Sequence, residues 1–215
     1  MVTAVGDILT GLRETRLVAI IRGSDPDAAI AAGCVLAQEG VRFIEVSLTT
    51  PDPLRVIRVL AAEGSARIGA GTVLREDDVT ASVDAGASFL LTPALAESVP
   101  FAAAQGVPVI AGAFTASEAL AAMRQGATAV KLFPASQGGP AYLKALRDPF
   151  PQIPFLPVGG VDADAAEQYL AVGAFAVGVG GPLVGDAASG GDLGALRARA
   201  RAFVGRLALS PSPSR

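Results

Sequence analysis

"PVIAGAFTASEALAAMRQGATAVKLFPAS", Pro108 to Ser136, carries one complete unit of the architecture. Residues 108–111 form an apolar, β-prone run too short for a helix, which reads as a buried strand. In "FTASEA" a hydroxyl side chain supplies a helix N-cap, and Glu118 suits the positive end of the first turn. Gly126 stands where a left-handed residue closes a helix, and residues 127–132 return to strand character. A strand, a helix and a second strand in this order imply a parallel pairing across a helical crossover.

The same alternation extends in both directions. Strands are expected at 17–21, 43–47, 67–70, 89–91, 108–111, 127–132, 154–157 and 175–179. Gly40, Gly64, Gly86, Gly106, Gly126 and Gly173 close the intervening helices, and "SDPDAA", "TTPDPL", "LREDDV" and "VDADAA" open others with Ser, Thr or Asp caps. Eight such units in 215 residues predict an α/β fold, a (β/α)8 TIM barrel of compact size. An open doubly wound sheet is disfavoured, because no G-x-G-x-x-G turn follows the first strand. An extra N-terminal helix over 5–14 and a closing helix over 193–207 complete one domain spanning 1–208, with a frayed tail at 209–215.

Composition narrows the chemistry. Apolar residues make up 51% and charged residues 17%, enough apolar material for a sizeable core. A net charge of −3 and scattered basic residues argue against a nucleic-acid surface. Every apolar run is broken before the roughly 20 residues needed to span a bilayer, and no signal pattern opens the chain. One cysteine, Cys34, allows no internal disulfide, and a cytoplasmic location is expected. The chain contains no histidine, so His-ligated zinc and any Ser-His-Asp or Cys-His nucleophile are excluded. Of the 17 basic residues only Lys131 and Lys144 are lysines.

Catalytic groups of such barrels lie at the C-terminal ends of the strands. Three charged residues, Arg22, Glu45 and Lys131, interrupt the otherwise apolar or small residues there. Strand alternation puts Ala129, Lys131 and Phe133 on one face, and Phe43, Glu45 and Ser47 on one face of the second strand. Both charges therefore converge inside the barrel. One reading is a buried ion pair that only holds the barrel together, though such pairs rarely improve on apolar packing. The other is a desolvated lysine, nucleophilic toward a carbonyl, with Glu45 as proton shuttle. Lys144, in "YLKALRD", belongs to a solvated helix face. Glycines in "PVGGV" and "VGVGG" leave backbone N–H groups free to approach phosphate. A phosphate-binding isomerase or epimerase, or a non-catalytic assembly subunit, stays open on these residues alone.

"VAIIRG", "IEVSLTTP", "IGAGTVL", "LLTPAL", "VKLFPAS" and "PVGGV", in this order, resemble the 2-keto-3-deoxy-6-phosphogluconate (KDPG) and 4-hydroxy-2-oxoglutarate aldolases, from about Leu17 to Val184. The resemblance implies a metal-free class I lyase with no cofactor, usually a homotrimer. It implies a phosphorylated keto-deoxy sugar acid as substrate, pyruvate as a product and a place in Entner–Doudoroff sugar-acid catabolism. It places the Schiff-base lysine at Lys131 and the proton-shuttling glutamate at Glu45. Thr72, Pro93 and Phe133 then line the pyruvyl pocket, and Gly159, Gly160, Gly180 and Gly181 form the phosphate loops. Arg22 is the candidate clamp for the substrate carboxylate. Thr49 occupies the place where several members carry a carboxylate-gripping arginine, and Val158 and Pro182 replace hydroxyl residues that some members aim at phosphate. "AIIRG" and "PVGGV" lean toward the phosphogalactonate branch.

Overall fold

The computed structural model describes residues 5–209. Eight strands, β1 (Leu17–Ile21), β2 (Phe43–Ser47), β3 (Arg67–Gly71), β4 (Phe89–Leu91), β5 (Val109–Ala113), β6 (Ala129–Leu132), β7 (Phe155–Pro157) and β8 (Val177–Val179), form one parallel sheet. Its order is β7-β6-β5-β4-β3-β2-β1-β8. A Val158–Gly178 bridge and the Phe175 N–H donating to the Phe155 carbonyl (3.1 Å) bring β7 and β8 together and close the (β/α)8 barrel.

The helices are α1 (Val5–Thr15), α2 (Pro26–Gln38), α3 (Pro53–Glu63), α4 (Glu76–Asp84), α5 (Ser98–Ala104), α6 (Ala116–Arg124), α7 (Ala135–Arg147), α8 (Ala163–Ala171), the short α9 (Gly181–Val184) and α10 (Leu193–Leu209). The opening and closing helices thus appear where expected. The expected tail lies outside the described residues, except Leu209, which ends α10. No helix among the described residues is long and apolar enough to cross a membrane.

Helix boundaries follow local chemistry. Thr115 caps α6: its hydroxyl accepts the Glu118 N–H at 3.3 Å, while the Glu118 carboxylate accepts the Thr115 and Phe114 N–H groups at 2.8 and 3.0 Å. Those backbone donors hold the Glu118 carboxyl below its usual range. Asp25 and Asp162 cap α2 and α8 through their side chains. Two starts differ from expectation. Asp52 precedes α3 at φ 45° without a side-chain cap bond, and at α4 the N-cap is Arg75. There Asp78 reaches back to the Leu74 and Arg75 N–H groups at 3.0 and 2.9 Å. Each glycine expected to close a helix has positive φ, from 66° at Gly64 to 106° at Gly86. Gly139, at φ 68°, breaks α7 ahead of Pro140.

Two cores result from the strand alternation. Ile44, Val46, Val130 and Leu132 face outward and pack beneath the helices. Phe43, Phe89, Leu91, Ile110, Ala129 and Leu156 fill the barrel interior, where the Phe43 and Phe89 rings meet edge-on at 5.8 Å. Ile8 and Leu12 of α1 join that inner cluster fully buried, so α1 plugs the N-terminal end.

Because Leu12 is a filler of this plug, Leu12→Ala is expected to cost about 2–5 kcal/mol through lost burial and a residual cavity. Urea denaturation should show a lower midpoint with an unchanged slope.

Candidate active site

With one end plugged, the cavity that matters opens at the C-terminal ends of the strands. It measures about 310 Å³ and is lined by Arg22, Glu45, Thr72, Pro93, Lys131 and Phe133, with Gly159, Gly160, Gly180 and Gly181 along one wall. All of the expected site residues except Thr49 are among the lining. A larger, shallower hollow of about 700 Å³ lies at the opposite end beside α1, with charges of both signs from Asp7, Glu14, Arg42 and Arg67. The catalytic face of this fold is the other one.

Lys131 projects inward from β6, whose register sets it beside Gly112 on β5 and Leu156 on β7. Glu45 projects inward from β2. The Lys131 Nζ lies 4.0 Å from the Glu45 Oε1, and the two side chains are only 7% and 1% exposed. That separation is too long for a direct hydrogen bond but close for two opposite charges in a low-dielectric setting. The Glu45 Oε2 is buried and has no hydrogen-bond partner among the described residues. The Lys131 Nζ also stands 5.4 Å from the centroid of the Phe133 ring, within cation–π range.

The neighbouring glycines make room for these charges. A Cβ on Gly71 would overlap the Glu45 carboxyl, so only glycine lets that side chain lie across β3. A Cβ on Gly112 would collide with the Pro93 backbone. Thr92 fixes that loop, accepting the Gly112 N–H at 2.9 Å and donating to the Ala94 carbonyl at 2.6 Å. These supports were not foreseen from the sequence. Their only signal was glycine at strand ends, which has many other causes.

On the opposite wall Gly159 and Gly160 adopt φ 95° and 72°, which strongly favours glycine. The loop is held to the start of α7 by the Ala135 N–H donating to the Val158 carbonyl and the Ser136 N–H donating to the Gly159 carbonyl, at 2.8 and 2.9 Å. Tyr169 donates its hydroxyl to the Ala135 carbonyl at 2.7 Å and pins the same turn. Gly180 and Gly181 open α9 beside it. Val158 faces the cavity and Pro182 stands at its rim.

Arg22 extends from the end of β1, exposed, and makes no hydrogen bond or ion pair among the described residues. Thr72 follows β3 with φ 64°. Thr49 is exposed, outside the cavity lining, and reaches the site only through Ser47. The Ser47 Oγ lies 2.8 Å from the Thr49 Oγ1 and 3.1 Å from the Thr72 Oγ1. Lys144 is exposed on α7, as its sequence context implies. Among the described residues no three His, Cys, Asp or Glu side chains gather in a metal-binding group.

Chemically, the cavity offers a buried amine, a buried carboxylate beside it, a guanidinium at the rim and a glycine wall of backbone amides. The family model for KDPG and KHG aldolases matches residues 8–197. The chain is 42% identical over 163 residues to the 2-dehydro-3-deoxy-phosphogluconate aldolase of Pseudomonas aeruginosa, covering 74% of each chain. It is 36% identical over 171 residues to the 2-dehydro-3-deoxy-6-phosphogalactonate aldolase of Escherichia coli, covering 78% of this chain and 83% of that protein. The crystal structure of 2-keto-3-deoxy-6-phosphogluconate aldolase from Zymomonas mobilis superposes with a TM-score of 0.85 at 25% identity, covering 98% of both chains. The barrel, its mouth and these relatives agree: the chain belongs to the KDPG and KHG aldolase family and is a carbon–carbon lyase of that type.

Proposed function

We propose that this aldolase cleaves 2-keto-3-deoxy-6-phosphogluconate to pyruvate and glyceraldehyde 3-phosphate through a Schiff base on Lys131. The observation that carries the reading is the burial of Lys131 at 4.0 Å from Glu45 at the base of the cavity. The neutral amine attacks the C2 ketone, and loss of water leaves an iminium. The C3–C4 bond then breaks, its electron pair moving toward the iminium nitrogen to give an enamine. Glu45, directly or through a water, takes the C4 hydroxyl proton as the aldehyde forms and departs. The same carboxyl returns a proton to C3, and water hydrolyses the iminium to release pyruvate. A positioned acid–base group of this kind contributes about 10²–10⁴-fold.

Arg22 holds the keto-acid carboxylate bidentately. The backbone N–H groups of the Gly159–Gly160 and Gly180–Gly181 loops receive the phosphate. Thr72, Pro93 and Phe133 frame the pyruvyl half, with Phe133 beside the reacting nitrogen. The enzyme works as a homotrimer, as the resemblance implies, and in the cytoplasm, in keeping with its single cysteine.

A second reading keeps the chemistry and changes the sugar acid. Thr49 brings no cation to the rim, and Val158 and Pro182 bring no hydroxyl to the phosphate wall. The missing hydroxyls suit the unphosphorylated 4-hydroxy-2-oxoglutarate, and "AIIRG" and "PVGGV" lean toward 2-keto-3-deoxy-6-phosphogalactonate. Comparing kcat/KM for the three substrates decides between them: a preference of tenfold or more for either alternative overturns the first choice of sugar.

Pyruvate with borohydride should add the mass of a reduced pyruvyl group to Lys131, and Lys131→Ala should neither take up the label nor cleave substrate. Labelling elsewhere, or a Lys131→Ala variant with ordinary turnover, removes the covalent mechanism and leaves an isomerase-type or structural lysine. Glu45→Gln is expected to retain slow labelling but lose about 10²–10⁴-fold in cleavage. Gly71→Ala, which drives a methyl group into the Glu45 carboxyl, should lower cleavage in the same direction.

A further inference from the structure

Ser47 ends β2 on the same inward face as Glu45 and is fully buried. Its Oγ has three polar neighbours: the Thr49 Oγ1 at 2.8 Å, the Thr72 Oγ1 at 3.1 Å and the Thr49 N–H at 3.4 Å. A serine hydroxyl has one proton and two acceptor lone pairs. The amide N–H can only donate, so it occupies one lone pair. The remaining lone pair and the proton are divided between the two threonines. One threonine donates to Ser47, and the other accepts from it.

What stands in the cavity chooses between these directions. Thr72 lines the cavity, whereas Thr49 faces solvent. A carboxylate can only accept, so when it meets Thr72 it takes the Thr72 proton. The Thr72 oxygen must then accept from Ser47, and Ser47 must accept from the Thr49 hydroxyl. All three protons point toward the anion, and each donated bond polarises the next. The backbone is consistent with a fixed purpose, since a β-branched residue at φ 64° is a genuine outlier.

We infer that Ser47 is a positioning residue: with Thr49 it forms a hydroxyl relay that presents Thr72 as a proton donor to the substrate carboxylate, at a rim whose position 49 carries no cation. This rests on the keto-acid reading of the cavity. Neutral hydroxyls in series thereby do part of the work that a guanidinium would do there.

The test measures the pyruvate concentration giving half-maximal borohydride trapping on Lys131. Ser47→Ala is expected to raise it about tenfold, consistent with losing the one hydrogen bond that orients the Thr72 hydroxyl, with Tm within a few degrees of the parent. Ser47→Thr, which restores the hydroxyl, should bring it back to within about twofold. In a Thr72→Val background, Ser47→Ala should add nothing, because its effect passes through Thr72. Multiplying effects, or an unchanged half-saturation in Ser47→Ala, overturn the relay. If Ser47→Ala does not fold, exposed Thr49 provides the second route. Thr49→Val should raise half-saturation about threefold and Thr49→Ser should not, while equal effects of the two refute the relay. A parent protein that takes no pyruvyl label at all refutes the keto-acid reading instead, which separates the two failures.

Discussion

Two opposite charges, Lys131 and Glu45, lie 4.0 Å apart in the upper part of a barrel whose lower part is solid hydrocarbon and aromatic ring. Moving both groups out of water is expensive, and their mutual attraction at that distance does not make such a pair better than apolar packing. The surroundings are arranged around this cost. Gly71 leaves the space that the Glu45 carboxyl fills, and Phe133 offers the face of a ring to the ammonium. Below them, Phe43, Phe89, Leu91, Ile110, Ala129 and Leu156 fill the interior with side chains that need no partner. The pair occupies the level at which this filling stops and the cavity begins.

Charges on the outside of the barrel follow different physics. Glu39 at the end of α2 receives Arg201 at 2.5 Å and also pairs with Arg197, both from α10. The hydrogen bond from Arg201, assisted by Arg197, holds the Glu39 carboxyl below its usual range. Arg206 binds Asp164 and Glu167 of α8, each at 2.7 Å. These contacts orient α10 across its neighbours, and the Arg206 pairs, exposed to water on both sides, add little to stability. Ion pairs outside the barrel thus register one helix on another, whereas the inner pair faces the cavity.

Much of the barrel was legible because its signals are local and periodic. The expected strands at 17–21, 43–47 and 89–91 match the observed ones, since short β-prone apolar runs bounded by turn residues fix them without long-range information. β5 runs on to Ala113, because pairing with β6 carries Gly112 and Ala113 into the ladder. Lys131 and Glu45 were legible as charges on the inward faces of strands. The exact helix caps were less so: Asp52 and Asp78 are both acids at a helix start, yet only Asp78 bonds the end of its helix. The Ser47–Thr72 contact joins residues 25 positions apart, at the end of β2 and in the loop after β3, and has no periodic signature. The same is true of the fit between Gly71 and Glu45, which depends on register across two strands.

The α1 plug makes the barrel a vessel with one opening. Lys131 and Glu45 stand near its floor, while the glycine loops and Arg22 ring the way out. A molecule bound covalently at the floor lies beneath whatever occupies the glycine wall. Under the Schiff-base mechanism proposed above, traffic is sequential by geometry: the fragment along the glycine wall leaves first, and the fragment tethered to the amine follows through the same opening. On the same proposal the order reverses in the synthetic direction, with the keto acid entering before the aldehyde. On that mechanism, a helix with no role in bond making imposes a queue on the reactants.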